Sequence, residues 1–161
     1  MRIGVFSDSH GEISTAKRFF DSLSPLDCLF HLGDHAADGE KLGKLFSCPV
    51  YAVRGNCDYR SGEPLERIVD LEGKRFLLLH GHQYYYTEAM LYRGEEVHAD
   101  MVLYGHTHMP DLCADGPRLL LNPGSLSRPR GGSANSCALI TLKGNDLNVR
   151  FINTDNTPLA W

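Results

Sequence analysis

The chain has 161 residues, about the size of one ordinary domain, so we expect a single domain spanning residues 1–161. Hydrophobic residues make up 42% of it and charged residues 22%, and no apolar run approaches the roughly 18 residues of a membrane span. This composition excludes a disordered chain and predicts no membrane partner. A net charge of −4 without a Lys/Arg tract argues against long nucleic acid as a substrate.

The five cysteines are widely spaced and include no CxxC pair. This usage favours reduced thiols over a disulfide framework or a thiolate zinc site. The apolar run at the N-terminus stops at Ser7 and Asp8, too early for the core of a secretory signal. We therefore expect a cytoplasmic protein.

Short apolar runs and amphipathic segments alternate in the first third of the chain. The runs at 3–6, 28–32 and 50–53 predict buried strands, and the 3.6-residue spacing over 12–23 and 39–46 predicts helices. Strand, helix and strand in this order indicate βαβ units with parallel pairing and right-handed crossovers.

The second half of the chain adds antiparallel elements. Residues 67–71 and 74–79 flank Glu72-Gly73 and predict a hairpin, and 87–98 predicts a helix with Thr87 as its N-cap. A strand at 101–104 follows. The remaining predicted strands cover 119–121, 138–142 and 147–152. The overall fold class is mixed α/β.

Five of the apolar runs end in a polar loop that holds Asp, Asn or His beside Gly. The carboxyl ends of strands in α/β folds converge on one edge of a sheet, so these side chains can meet in one crevice. They are oxygen and imidazole donors, which suit divalent Mn, Fe, Zn, Ni or Co: Asp8, His10, Asp34, Asn56, His80, His106 and His108. Seven donors exceed the needs of one tetrahedral ion, whereas two ions that share a bridging carboxylate would use them.

A pair of divalent ions about 3.5–4 Å apart can stabilise both the attacking and the leaving oxygen of a phosphoryl displacement. The ions also lower the pKa of bound water, so a bridging hydroxide exists near neutral pH. Two divalent ions opposed by two carboxylates and one hydroxide leave about one positive charge, which matches a phosphodiester monoanion. The donor set therefore predicts hydrolysis of small phosphodiesters without a protein nucleophile.

The donors stand in ordered motifs that resemble those of the calcineurin-like metallophosphoesterases, and in particular the small single-domain YfcE-like phosphodiesterase branch. The motifs are Asp8-Ser9-His10, Gly33-Asp34, Gly55-Asn56, His80-Gly81-His82, Gly105-His106-Thr107-His108 and the loop Asn122-Pro123-Gly124-Ser125. The resemblance implies a four-layer αββα sandwich of two mixed β-sheets flanked by helices.

The resemblance also implies how the donors are shared between two sites. The first site would hold Asp8, His10, Asp34 and His108, and the second would hold Asp34, Asn56, His80 and His106. Asp34 would bridge them, and Asn56 would also position the phosphate. The implied cofactor is two divalent metal ions per chain, with manganese first and nickel, zinc, iron, cobalt or magnesium as alternatives.

One position departs from the family pattern. Many relatives carry His directly after the motif asparagine, where it can protonate the leaving alkoxide, but this chain has Cys57. A thiol is a poor acid catalyst at neutral pH, so we predict a preference for esters with good leaving groups unless His82 or His35 supplies the proton. The candidate catalytic residues besides the metal ligands are therefore Asn56, His82 and Cys57.

Several alternatives stay open at this point. The same fold also serves protein-interaction scaffolds, so a catalytically weak scaffold is the second hypothesis. Within the enzymes, a phosphomonoesterase or a nuclease is the alternative. Small members of such families commonly associate, which allows a homodimer or a higher homo-oligomer. Tyr84–Tyr86, Arg128 and Arg130 could contact substrate or could be ordinary packing and solvated charges.

Overall fold

Two mixed β-sheets lie face to face in the computed structural model, which describes residues 1–155, and helices cover their outer faces. Residues 156–161 of the expected domain lie outside the described residues. The strands are β1 Arg2–Phe6, β2 Cys28–His31, β3 Val50–Ala52, β4 Glu66–Leu71, β5 Lys74–Leu79, β6 Met101–Leu103, β7 Pro110–Asp115, β8 Arg118–Pro123, β9 Ser136–Lys143 and β10 Asp146–Asn153. The helices are α1 Ser14–Arg18, α2 Phe20–Leu23, α3 Asp38–Phe46 and α4 Thr87–Glu96.

The strand order is β10-β9-β1-β2-β3 in the first sheet and β4-β5-β6-β8-β7 in the second. The predicted parallel pairing is confirmed, since β1 pairs with β2 and β2 with β3 in parallel. The predicted hairpin is confirmed as the antiparallel pair β4 and β5. Both sheets are therefore mixed, with parallel strands at their centres.

The central strands are buried on both faces, which is why they appear as continuous apolar runs in the sequence. On β2, Cys28 and Phe30 face the core between the sheets, and Leu29 faces the outer helices. Phe30 meets Phe76 of the second sheet across this core, with ring centroids 5.6 Å apart. The alternation follows from the two-residue period of a strand.

Each outer face has its own hydrophobic cluster. Phe19, between α1 and α2, and Leu42 of α3 pack on the first sheet. Met90 of α4 packs on the second sheet. The layer order is thus helices, sheet, sheet, helix, which confirms the αββα sandwich expected from the resemblance.

Three local predictions were wrong. The helix predicted over 12–23 is divided at Phe19, whose N–H is shared between the carbonyls of Thr15 and Ala16 at 3.2 Å each. The N-cap of α4 is Tyr86 rather than Thr87, and it makes no side-chain cap hydrogen bond. Strand β7 was missed because this edge strand begins at a proline and its last three residues are exposed, so it lacks a strong apolar pattern.

Within residues 1–155, no helix combines the length and the apolar character that crossing a bilayer requires.

Candidate metal centre

The two sheets bring their carboxyl-terminal strand ends together at one edge of the sandwich. Asp8 follows β1 and Asp34 follows β2, and the N–H of Asp8 donates to the carbonyl of Gly33 at 3.1 Å. His106 follows β6 of the other sheet, and its N–H donates to Oδ2 of Asp8 at 3.1 Å. The Asp8 carboxylate therefore joins the loops of both sheets.

Four of the seven predicted donors form a compact cluster. The potential ligand atoms of Asp8, His10, Asp34 and His108 all lie within 4.8 Å of one another. His108 Nε2 is 3.1 Å from Asp8 Oδ1, and His10 Nε2 is 3.7 Å from Asp34 Oδ2. This is the set that the resemblance assigned to the first metal site.

The second predicted set adjoins the first through Asp34. His80 Nε2 lies 3.4 Å from Oδ1 of Asp34 and 3.9 Å from Oδ1 of Asp8. The rings of His80 and His106 have centroids 5.3 Å apart. Asn56 is exposed at the rim, where its Nδ2 lies 3.6 Å from Cys57 Sγ. Asp34 therefore lies between the two halves, where a bridging ligand would have to be.

Several polar atoms in and beside the cluster are buried without a hydrogen-bond partner in the described structure: Asp8 Oδ1, His10 Nε2, His80 Nε2 and His82 Nδ1. Buried polar atoms in proteins are nearly always paired, so this concentration calls for a ligand. A divalent cation fits them, because carboxylate oxygen and neutral imidazole nitrogen are its usual donors.

Backbone carbonyls orient two of the imidazole rings. His80 Nδ1 lies 2.7 Å from the carbonyl oxygen of Leu32, and His108 Nδ1 lies 2.6 Å from that of Arg128. A carbonyl only accepts, so each Nδ1 carries the proton and each Nε2 presents a lone pair to the cluster. Metal-binding histidines are typically oriented in this way.

The loops that carry the donors have an unusual backbone. Five donors have φ between 45° and 66°, the left-handed region that side chains other than glycine rarely adopt: Asp8, His10, Asp34, His106 and His108. Such conformations persist where the surrounding structure enforces them, and they concentrate at functional sites. They aim donors from neighbouring residues of one loop, such as Asp8 and His10, into the same cluster.

Burial and neighbouring charges set the protonation states of the donors. Burial favours neutral Asp8, but the adjacent His108 and His80 outweigh it and lower the pKa of the carboxyl group. Burial lowers the pKa of His10 and of His106, whereas at His108 burial is outweighed by Asp8 and the pKa is raised. The shifts at Asp8, His10 and His106 therefore favour carboxylate and neutral imidazole, the forms that bind metal.

Two other candidate residues adjoin the cluster. His82 is half-buried, with its ring centroid 5.4 Å from that of His80, and burial lowers its pKa. Cys57 is exposed beside Asp34, whose Oδ1 accepts a 2.9 Å hydrogen bond from the Cys57 N–H. Partial desolvation of the thiol and the nearby Asp34 carboxylate raise the pKa of Cys57 to about 11. His35 is directed away, with Nδ1 3.5 Å from Oδ2 of Asp38.

Sequence reasoning missed the residue that joins two of the donor loops. Asp58 accepts hydrogen bonds from the N–H groups of His35, Ala36 and Gly55 at 3.0, 2.9 and 2.8 Å. It thereby fixes the Asp34 loop against the Asn56 loop. Its place two residues after the Gly55-Asn56 motif is the signal that could have identified it.

The end of β8 and the loop that follows it hold two of the donor loops in place. Ser125 Oγ donates to the backbone carbonyl of Asp8 at 2.8 Å, and Asn122 Nδ2 donates to that of Gly105 at 2.8 Å. Both side chains are fully buried. The Asn122–Ser125 loop therefore positions the donor loops.

The arginines and tyrosines for which the sequence left a substrate contact open differ in their distance from the centre and in their partners. Arg128 and Arg130 are exposed. In addition to burial, the Arg128 charge lowers the pKa of His10 and the Arg130 charge lowers that of His106, so both arginines lie near the donors. The Tyr84 hydroxyl donates a hydrogen bond to the Glu66 carboxylate at 2.5 Å, which anchors the tyrosine to strand β4. Tyr85 is 97% exposed.

A cavity of about 350 Å³ opens beside the second half of the centre. Arg54, Asn56 and His82 line it, together with Asp58 and Tyr59. A phosphate group that entered this space would meet the Arg54 cation and the Asn56 amide next to the donor cluster.

Comparison with known proteins identifies the family. The calcineurin-like phosphoesterase superfamily domain matches residues 1–145. The probable metallophosphoesterase YsnB of Bacillus subtilis is 30% identical over 157 residues, which cover 94% of this chain and 90% of that protein.

Two solved structures show the same fold. The structure of YfcE, a phosphoesterase from E. coli, has a TM-score of 0.73 at 28% identity, and the match covers 99% of this chain and 97% of the YfcE chain. Vps29 of Entamoeba histolytica, in complex with zinc, has a TM-score of 0.76 at 18% identity, with 95% and 99% of the two chains covered. At that identity the second likeness concerns the fold alone.

Proposed function

The chain belongs to the calcineurin-like phosphoesterase superfamily and is a metal-dependent phosphoesterase of the YfcE-like branch, and from this membership we propose that it hydrolyses small phosphodiesters at a centre of two divalent cations. The residues proposed to hold the cations are Asp8, His10, Asp34 and His108 on one side and Asp34, Asn56, His80 and His106 on the other.

One observation carries this proposal: the two carboxylate oxygens of Asp34 lie near two different histidines. Asp34 Oδ2 is 3.7 Å from His10 Nε2, and Asp34 Oδ1 is 3.4 Å from His80 Nε2. Both of these ring nitrogens are buried without a hydrogen-bond partner in the described structure. A single carboxylate with an imidazole donor near each oxygen is what a shared ligand of two cations requires.

When bound, the cations would supply an acidified water and neutralise charge on the phosphoryl oxygens. The chain itself contributes orientation and charge. The carbonyls of Leu32 and Arg128 hold His80 and His108 in the tautomer that presents Nε2. Arg54 and the Asn56 amide, in the cavity beside the centre, would bind the non-bridging oxygens of the phosphate.

The experiment is a metal reconstitution of the purified protein. After chelation and dialysis, bis(p-nitrophenyl) phosphate and p-nitrophenyl phosphate are assayed with added manganese, nickel, zinc, iron, cobalt or magnesium, and bound metal is counted. We expect about two ions per chain and faster hydrolysis of the diester. Fewer than one tightly bound ion, together with no manganese- or nickel-stimulated diester hydrolysis, would contradict the proposal.

The same assay addresses the alternatives. Faster hydrolysis of the monoester would support a phosphomonoesterase. An apolar surface patch that buries a partner, together with activity unchanged by His106→Ala, would support the scaffold, because His106 lies against His80 in the proposed second site. Manganese as the cellular metal, a single domain over residues 1–161, a cytoplasmic location and a homo-oligomeric assembly stay predictions.

Cys57 predicts a measurable selectivity for leaving groups. The Cys57→His substitution should raise kcat/KM on alkyl diesters about a hundredfold relative to aryl diesters, because an imidazolium can protonate a poor leaving group and a thiol cannot do so well. The control is Cys113→His, at an exposed position of strand β7. The measurement is the alkyl-to-aryl ratio of kcat/KM. An unchanged ratio would contradict the prediction and would favour His82 as the proton donor.

A further inference from the structure

A second and larger cavity, of about 1090 Å³, lies next to the metal centre. It is bounded by α3 on one side and by the loop 57–63 on the other. A site that bound only a phosphate with a methyl or ethyl group would not need this space, since pockets of roughly 300–1,000 Å³ enclose whole drug-sized ligands. The metal centre does not account for it.

The larger cavity adjoins the smaller one at the centre. Asp58 and Tyr59 line both. Cys57 lines the larger cavity, and its backbone N–H binds Oδ1 of Asp34 at 2.9 Å. A group attached to a phosphate held at Asp34 and Asn56 could therefore extend past Cys57 into the larger cavity.

The lining favours a flat and uncharged group. Its floor is aliphatic, with Ala36, Val50 and Ala52 among the lining residues. Tyr59, at the junction of the two cavities, is 91% exposed, so its ring is free to stack on a ligand. Aromatic rings in such positions stack on nucleobases with little sequence preference.

Most charged side chains around this cavity have partners within the protein, and Arg60 is the lining cation with no ion pair among the described residues. Lys44 pairs with Glu40 at 2.7 Å, and Glu63 pairs with Arg67 at 2.7 Å. The Asp58 carboxylate accepts three backbone N–H groups. A second phosphate or another strongly charged group therefore finds few unpaired cations here, whereas a nucleoside brings only neutral polar groups.

From these contacts we propose that the larger cavity binds a nucleoside moiety of the phosphodiester substrate, with its base stacked on Tyr59. This inference rests on the proposed function, because it places the nucleoside by the phosphate at the metal centre. It narrows the substrate class to nucleoside phosphodiesters.

The experiment compares two diesters with the same leaving group. The p-nitrophenyl ester of thymidine monophosphate and methyl p-nitrophenyl phosphate both release p-nitrophenolate, so they differ only in the group that stays on phosphate. We expect kcat/KM to favour the thymidine diester by about tenfold or more. Tyr59→Ala should abolish that preference, and Tyr59→Phe should keep it. The matched control is Tyr85→Ala, which also removes an exposed ring, 97% exposed, and should change nothing.

A second variant fills the cavity without touching the core. Ala37 is exposed where it lines the cavity at the start of α3, so Ala37→Trp should block the thymidine diester and spare the methyl diester. Calorimetry with thymidine alone gives a readout independent of catalysis. Binding should weaken about tenfold in Tyr59→Ala.

The two proposals fail in different ways. Equal kcat/KM on both diesters in the unmodified protein, with no binding of thymidine, would overturn the nucleoside site and leave the phosphodiesterase standing. If neither diester is hydrolysed, the proposed function fails, and the calorimetry still decides whether thymidine binds at Tyr59. A preference for the methyl diester would favour an aliphatic substrate and would also overturn the inference.

Discussion

Replacing Asp34 by Asn is expected to lower kcat/KM on an aryl phosphodiester by about a thousandfold, the largest effect of any single change at this site. The substitution keeps the shape of the side chain, and its Oδ1 can still accept the hydrogen bond from Cys57 N–H. It removes one negative charge from the position between His10 and His80. Both halves of the proposed centre would therefore lose affinity for their cations.

Metal content separates this explanation from a folding defect. Asp34→Asn should bind fewer ions per chain than the unmodified protein while its circular dichroism spectrum is unchanged. The matched control is Asp100→Asn, at the amino-terminal end of β6, where Oδ2 accepts the N–H of Arg75 at 2.8 Å. That variant should keep its metal and its activity. Full metal content and activity in Asp34→Asn would refute the bridging assignment.

The second large effect is expected from adding a single methyl group at Gly55. A Cβ at this position would lie 2.2 Å from Oδ1 and 2.5 Å from the backbone nitrogen of Asp34. Atoms cannot approach so closely, and the backbone of the Asp34 loop cannot swing aside as a flexible side chain would. Gly55→Ala should therefore displace Asp34, lower the free energy of unfolding by about 1–3 kcal/mol and lower kcat/KM about a hundredfold.

Gly62 provides the matched control for this experiment. It lies in the same loop region, but a Cβ there would meet nothing within 4 Å. Gly62→Ala should leave both the urea unfolding midpoint and kcat/KM close to those of the unmodified protein. If Gly55→Ala behaved like Gly62→Ala, the close contact between the two donor loops would not exist in solution.

The sequence predicted the central strands well because their burial is encoded locally. The stretches 28–30 and 76–79 are apolar at every position, since both faces of each strand pack against a core there. The sequence predicted β7 poorly for the opposite reason. That edge strand is stabilised by pairing with β8, from Pro110 opposite Pro123 to Asp115 opposite Arg118, and pairing leaves no hydrophobic pattern.

The donor residues could be chosen from the sequence because their chemical types recur at strand ends. Their geometry could not. The left-handed backbone of Asp8 and His10 is imposed by hydrogen bonds from other loops, among them the 2.8 Å bond from Ser125 Oγ to the carbonyl of Asp8. Asp58 and Ser125 bind backbone groups far away in the chain, among them the N–H of His35 and the carbonyl of Asp8, and a motif of ligands gives no signal for such partners.

By itself, the order of residues determined which side chains can hold cations and which segments must be buried, because donor chemistry and hydrophobic period are properties of short stretches. Tertiary structure alone decided that Asp8 meets His106, 98 positions later in the chain, and that a large cavity opens beside Tyr59. Contacts of that kind form only when two sheets pack face to face, and the packing depends on the whole chain at once.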